Sequence, residues 1–286
     1  MVHLIYIGVT GWRDHPELYS AETKNHQRLL EYSSHFPIVE LDASYYAIQP
    51  IRNMEKWVKD TPEIFRFVVK AYQGMTGHKK SNEPYQSKTE MFEQFKMSLQ
   101  PLIEANKLGM VLFQFPPWFN CTLDHIVYLR YCVQRMRGIP IALEFRNRSW
   151  YSAENYQQTI DLMKQDNWIH TIVDEPQVGD GSIPIVPVVT NTEKTLIRFH
   201  GRNVYGWNRP KDKETNWREV RYLYKYNQAE LTEWRDRVFK IAKQSKDVYI
   251  LFNNNSGGDA AGNAKTLQAM LAIDYDGLSP KQLSLF

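Results

Sequence analysis

The sequence predicts an α/β fold, a single (β/α)8 barrel of the TIM type, and two observations carry that expectation. Eight short runs rich in β-branched and aromatic residues recur along the chain, most of them separated by longer segments of helical period. Nothing in the chain repeats the glycine signature of a nucleotide-binding fold, which argues against a doubly wound sheet. The 286 residues suit one α/β barrel of about 250 residues, although two smaller domains would also fit that length.

The strand runs are Leu4–Val9, Ile38–Asp42, Phe65–Lys70, Met110–Phe115, Ile141–Phe145, His170–Asp174, Leu196–His200 and Val248–Asn253. Helical patterns fall at Glu22–His35, Ile51–Asp60, Gln86–Asn106, Leu123–Met136, Ala153–Gln165, Ala229–Ser245 and Gly262–Leu271. Ser152 is placed to cap the fifth helix, while Pro62 and Gly138 stop the helices before them. Between the sixth and seventh strands, Glu175–Lys194 carries three prolines and two glycines, so an irregular connection without a full helix is expected. The barrel should occupy 1–277, and 278–286 should form a C-terminal tail.

Composition excludes several classes. Hydrophobic residues at 43% and charged residues at 23% describe an ordinary globular protein rather than a disordered one. Cys121 and Cys132 are too few for a disulfide framework and read as reduced thiols. The start, Met1-Val2-His3-Leu4, lacks a leader pattern, and no run approaches about 18 apolar residues. A cytoplasmic protein without a membrane span is therefore expected. A net charge of +3 is too small to imply a nucleic-acid partner, so local clusters must carry that argument.

The period of two sorts strand residues by face. Glu40 and Asp42 should face inward on the second strand, Glu144 and Arg146 on the fifth, and Arg198 and His200 on the seventh. The same rule is applied to Lys70, Gln114, Asp174 and Asn253 on the remaining strands. All lie toward the C-terminal strand ends, where barrels assemble their active sites. Glu144 paired with Asp174 or Asp42 suits acid/base work. Lys70 suits a Schiff base or an ion pair. Arg146, Arg198, His200 and Arg202 together suit an anion such as phosphate. The competing account is that these charges pair off and merely hold the barrel together, as expected first for the deeper Glu40 and Arg198. With His200 and the loop residue His78 as the only nearby histidines, and basic groups competing for the carboxylates, a metal is not favoured and no cofactor is implied.

Aromatic rings follow several strands, at Trp12, Tyr45, Tyr46, Tyr72, Trp118, Trp150 and Trp207, and suit stacking on a sugar or base or simple capping of the barrel. In Gly201–Tyr226, Arg202, Arg209, Lys211, Lys213, Arg218, Arg221 and Lys225 alternate with Tyr205, Trp207, Trp217, Tyr222, Tyr224 and Tyr226. Such interleaving suits single-stranded nucleic acid; the alternative is a solvated loop packing on the barrel.

Local motifs add a resemblance. Gly8-Val9-Thr10-Gly11-Trp12, Glu40-Leu41-Asp42-Ala43-Ser44-Tyr45-Tyr46, Phe67-Val68-Val69-Lys70-Ala71 and Gln114-Phe115-Pro116-Pro117 follow one another in order. So do Glu144-Phe145-Arg146-Asn147-Arg148-Ser149-Trp150, Arg198-Phe199-His200-Gly201-Arg202 and Phe252-Asn253-Asn254-Asn255 with Gly257-Gly258-Asp259-Ala260. Over nearly its whole length the chain resembles the YecE-like family of uncharacterised proteins. The resemblance implies a TIM-barrel-like fold and supplies no reaction. Asp42 stands where an Asn is common, and His78 arrives one residue later than the usual Thr-His.

The C-terminal Gln282-Leu283-Ser284-Leu285-Phe286 looks like the pentapeptide by which polymerases and repair proteins bind the bacterial sliding clamp. Leu285 and Phe286 would anchor in an apolar pocket, with Leu283 beside them and the Gln282 amide giving direction. Alternatively, these apolar residues plug the bottom of the barrel. The combined reading is an enzyme acting on a phosphate-bearing, nucleic-acid or nucleotide-like substrate and recruited to DNA by its tail. Its catalytic candidates are Glu144, Asp174, His200 and Lys70, and its binding candidates are Asp42, Tyr45, Gln114, Arg146, Arg198, Arg202, Trp207, Asn253 and Asn254. A sugar or sugar-phosphate enzyme with a structural tail, and a non-catalytic clamp-associated binding module, remain the alternatives.

Overall fold

Hydrophobic alternation drives each short run into a strand with two apolar faces, one toward the barrel axis and one toward a helical shell. A computed structural model describes residues 4–78, 84–207 and 217–280. Its strands are β1 (Leu4–Thr10), β2 (Ile38–Leu41), β3 (Arg66–Lys70), β4 (Leu108–Gln114), β5 (Ile141–Glu144), β6 (Ile169–Asp174), β7 (Lys194–Phe199) and β8 (Asp247–Phe252). All neighbours pair in parallel, in sequence order, and β8 closes on β1, with Leu4 beside Asp247 and Val9 beside Phe252. The predicted (β/α)8 barrel is the fold. At Gly8 the strands crowd so closely that a Cβ would stand 2.1 Å from the Ile38 carbonyl oxygen, which excludes any side chain there.

The helices are α1 (Arg28–Tyr32), α2 (Ala43–Tyr46), α3 (Ile51–Lys59), α4 (Lys88–Glu104), α5 (Leu123–Arg135), α6 (Tyr156–Gln165), α7 (Val204–Trp207), α8 (Trp217–Arg221), α9 (Gln228–Ala242) and α10 (Asp259–Met270). Ser87 and Thr122 accept from the backbone at the starts of α4 and α5, and Asn227 with Glu230 forms a capping box on α9. Two local expectations fail. The first helix is shorter than predicted because the Ser20 amide and the Thr23 hydroxyl donate to the Glu31 carboxylate, a competitor to helical bonding upstream of α1. Asn155, not Ser152, occupies the N-cap of α6; Ser152 ends the 3-10 turn Arg148–Tyr151. The connection between β6 and β7 holds only a short 3-10 turn at Gly179–Gly181.

Inside the barrel, Tyr6, Ile38, Val68, Met110, Leu112, Ala142, Ile169, Leu196, Tyr249 and Leu251 form one apolar plug. Outside, Val39, Leu41, Leu143, Phe145, Ile197 and Phe199 join the larger core beneath the helices, as the alternation predicted. Packing continues past the expected domain boundary. The Ser279 amide donates to the Ser33 carbonyl at 3.1 Å and the two hydroxyls meet at 2.8 Å, so the start of the expected tail packs on the barrel. Gln282, Leu283, Leu285 and Phe286 lie outside the described residues. Among the described residues, no helix is long and apolar enough to cross a membrane.

Candidate active site at the mouth of the barrel

Above the apolar plug the inward positions turn polar. Glu40 lies next to the end of β2, Glu144 ends β5, Arg198 lies near the end of β7, and all three are buried. Arg198 spans the barrel: Nε and Nη2 donate to the two Glu40 oxygens at 2.9 and 2.6 Å, and Nη1 donates to Glu144 at 2.6 Å. Arg146 continues the chain, donating from Nη1 to Glu175 at 2.6 Å and lying 2.9 Å from Glu144 through Nη2. His200 sits against both guanidiniums, with Nε2 3.3 Å from Glu144 Oε1. On the other side of the ring, Asn253 Nδ2 lies 2.9 Å from Nδ1. Gln114 donates to Glu144 Oε1 at 2.6 Å.

Three carboxylates thus face two guanidiniums, and burial set against this pairing drives their acidities apart. Burial works against ionised Glu144, yet Arg198 and Arg146 outweigh it and hold this carboxyl well below its usual range. Burial pushes Glu175 up to about 7 against the pull of Arg146, and Glu40 up to about 7 against Arg198. Burial, then Arg146 and Arg198, keep His200 neutral, far below the ordinary histidine range. One carboxylate is committed to charge while its neighbour can exchange a proton near neutrality, the division of labour that acid/base chemistry needs.

The exposed rim lies over β2, β3 and β4. Burial opposes the charge of Lys70, but Asp42 and Glu40 outweigh that and raise its affinity for its proton. Its Nζ lies 3.4 Å from Asp42 and 5.0 Å from the centre of the Tyr45 ring. His78, whose Nδ1 meets the Thr76 hydroxyl at 2.8 Å, packs edge-on against Tyr45. Burial, Lys70 and Arg146 together lower His78 to about 4. Among the described residues, no group of three or more His, Cys, Asp and Glu side chains is placed to hold a metal ion.

Residues 6–284 match the family described as protein of unknown function DUF72. The chain belongs to the DUF72 family. It is 59% identical to the UPF0759 protein YunF of Bacillus subtilis (strain 168) over 283 residues, covering 99% of this chain and 100% of that protein. A DUF72 family protein from Enterococcus faecalis V583 superposes with a TM-score of 0.90 at 41% identity, across 99% of this chain and 100% of that one. Another from Thermotoga maritima MSB8 gives 0.80 at 30%, across 95% and 100%. The family read from the strand-end motifs is the same one.

Three expected site residues of this DUF72 barrel lie elsewhere. Asp174 aligns with outward-facing Phe199 and points to the helical shell, where it accepts from the Trp234 indole of α9 and from Arg202 at 2.6 Å. Arg202 also reaches Glu230 at 3.4 Å and Glu233 at 3.6 Å, so this pair forms a second cluster outside the barrel rather than part of the anion site. Asn254 faces outward too, donating to the Tyr224 carbonyl and to Asn263 beneath the 201–226 segment. Trp207, by contrast, is a buried wall of the site: Arg146 lies 5.6 Å from its ring centre and the His200 ring 6.4 Å away, while its indole donates to the Gly181 carbonyl and Arg221 lies 4.2 Å from the ring. The residue that sequence reasoning missed is Glu175. The run offers two adjacent acids, Asp174 and Glu175, and only one of them can face inward; the strand register selects the second.

The basic and aromatic segment is also largely occupied within the described residues. The Tyr226 hydroxyl accepts from the Gly201 amide, Tyr224 donates to Glu230, and Arg221 lies between Trp207 and Trp217. Tyr205 stands out at 97% exposure. Arg209, Lys211 and Lys213 fall outside the described residues.

Proposed function

We propose that the protein is an enzyme that takes a phosphate-bearing, nucleotide-like substrate at the barrel mouth and works on it by carboxylate acid/base chemistry. The observation that carries this reading is the placing of two cations, Lys70 at the rim and the buried Arg146, at a buried carboxylate network. Both cations act on the opening: after burial, they are what lowers the pKa of His78, and a phosphate would meet them there. Lys70 and Arg146 bind the anion, while Gln114, Asn253, Tyr45 and Asp42 orient the rest of the substrate. Glu175 exchanges the proton, in the role first sought at Asp174. Glu144 stays charged, and with His200 it fixes both guanidiniums. Arg198 is saturated by Glu40 and Glu144 and serves as a strut rather than a phosphate ligand.

Phosphate and nucleoside monophosphates should bind the wild-type protein in calorimetry, and Lys70→Met should weaken both by about tenfold. Turnover in a phosphoester screen should be lost in Glu175→Gln while binding persists. Equal phosphate affinity in wild type and Lys70→Met would sink the reading.

Recruitment through Gln282–Phe286 is a separate part of the proposal, supported by the match at all five positions and by the anchoring of the chain at Ser279. Saturable binding to a bacterial sliding clamp should be abolished when the chain is ended at Lys281. Binding to single-stranded oligonucleotides should fall steeply with salt if the 201–226 segment adds contacts.

A further inference from the structure

Beside the mouth, over β1 and β2, lies a groove of about 300 Å³ lined by Thr10, Trp12, Asp42, Gln49, Asn53 and Trp57 among others. Asp42 joins it to the candidate site, because the same side chain lies 3.4 Å from Lys70. The volume is at the small end of ligand pockets, enough for one ring and its substituents. Trp12 and Trp57 meet at 72° with centroids 5.6 Å apart, forming an apolar corner rather than a parallel slot for a flat base. Opposite this corner the groove is polar. The Thr10 hydroxyl is buried without a hydrogen-bond partner among the described residues, while Asp42 Oδ1 is held by Lys70 Nζ at 3.4 Å. Thr10 is only 4% exposed, and orphaned buried polar atoms are rare enough to call for an occupant that bonds them. The Gln49 amide is committed to the Ala43 and Ala47 carbonyls at 2.9 Å each, and Asn53 donates to Gln49 at 3.2 Å, which stiffens the polar wall.

We propose that this groove receives the hydroxyl-bearing sugar ring of a phosphorylated sugar whose phosphate lies against Lys70 and Arg146. The carboxylate of Asp42 accepts from a ring hydroxyl, the Thr10 hydroxyl bonds a second, and the C–H face of the ring lies in the indole corner. The inference rests on the phosphate reading above for the position of the anion. The same chemistry is carried by a free sugar phosphate and by the ribose phosphate of a nucleotide.

The test is calorimetry on the full chain with inorganic phosphate, ribose, ribose 5-phosphate and adenosine monophosphate. Wild type should bind at least one of the two phosphorylated sugars about tenfold more tightly than inorganic phosphate, and comparing them identifies the source of the ring. Thr10→Val removes an unbonded hydroxyl at constant shape, so the fold should tolerate it. It should weaken sugar phosphate about fivefold or more and leave inorganic phosphate unchanged. Asn53→Ala, on a partly exposed helix face, provides a second variant with the same expected pattern. Phosphate binding with no gain for either sugar phosphate overturns the groove and leaves the phosphate reading standing. Ribose binding that Thr10→Val abolishes, without any phosphate binding, keeps the groove and removes the phosphate reading. No binding of any probe at millimolar concentration overturns both.

Discussion

Two arginine–carboxylate clusters stand at nearly the same height on opposite faces of the barrel wall, and they differ in how they meet water. Inside, Arg198 is 1% exposed between Glu40 and Glu144, both at 0%. Outside, Arg202 is 25% exposed and spreads over Asp174, Glu230 and Glu233. The inner cluster has no solvent to fall back on, so every lone pair must find a protein donor. Burying such a network costs several kcal/mol per ion, and apolar residues would fill the same space as well or better. The outer cluster fastens β6 to α9 and to the 201–226 segment, a purely structural task. The contrast separates a network that packing does not need from one that it does.

The largest expected effect comes from breaking the inner network at its centre. Arg198→Leu leaves two carboxylates buried without their shared partner and should cost about 3–5 kcal/mol in denaturant unfolding. A loss below about 1 kcal/mol would mean that water already enters the barrel mouth, and the distinction between the clusters would collapse.

The inner cluster should also carry two pH dependences of opposite sign. His200 has its folded pKa lowered below 6.5, so the unfolded chain takes up the proton first. Stability from this group is intact above pH 6.5 and is lost as pH falls below it. Glu175 has the opposite sign: its folded pKa is raised to about 7, so its contribution improves as pH falls from 7 toward 4.5. His200→Gln should therefore lose less stability than wild type between pH 6.5 and 5, and the difference between the two profiles isolates the histidine. Parallel profiles would show that His200 takes up its proton as readily in the folded protein as in the unfolded chain.

A smaller effect belongs to the outer cluster. Asp174→Asn keeps an acceptor for Trp234 and Arg202 but removes the charge, and should cost about 1–3 kcal/mol. Phosphate binding and its pH dependence should not change. A loss of binding here would return Asp174 to the site and merge the two clusters.

These clusters also mark what the residues reveal in advance. Alternation on β2, β5 and β7 is unambiguous because charged and large apolar residues occupy opposite faces, so Glu40, Glu144, Arg198 and His200 are legible by counting. On β6 the alternation carries no such contrast: Ile169, Ile172 and Val173 place apolar groups on both faces, and two acids end the strand. Pairing register, which depends on contacts across the sheet, decides that Glu175 enters and Asp174 does not. The groove was equally hidden. Trp12 and Trp57 are 45 positions apart in the chain and meet only because β1 and β2 are neighbours.

The smallest effect is the most direct probe of the mouth itself. His78 titrates at about 4 because it is buried and faces Lys70 and Arg146. Lys70→Met removes one of these cations without touching the inner network's hydrogen bonds, so the His78 pKa should move from about 4 toward 6.5. Folded-state stability should then fall less as pH drops from 6.5 to 4, since less of the proton affinity is surrendered on folding. Proton NMR of the imidazole reads the shift directly. Added phosphate should move the pKa of wild-type His78 in the same direction, because a bound anion cancels the same field. If phosphate leaves that resonance unmoved while Lys70→Met shifts it, the electropositive mouth is present but does not hold the anion.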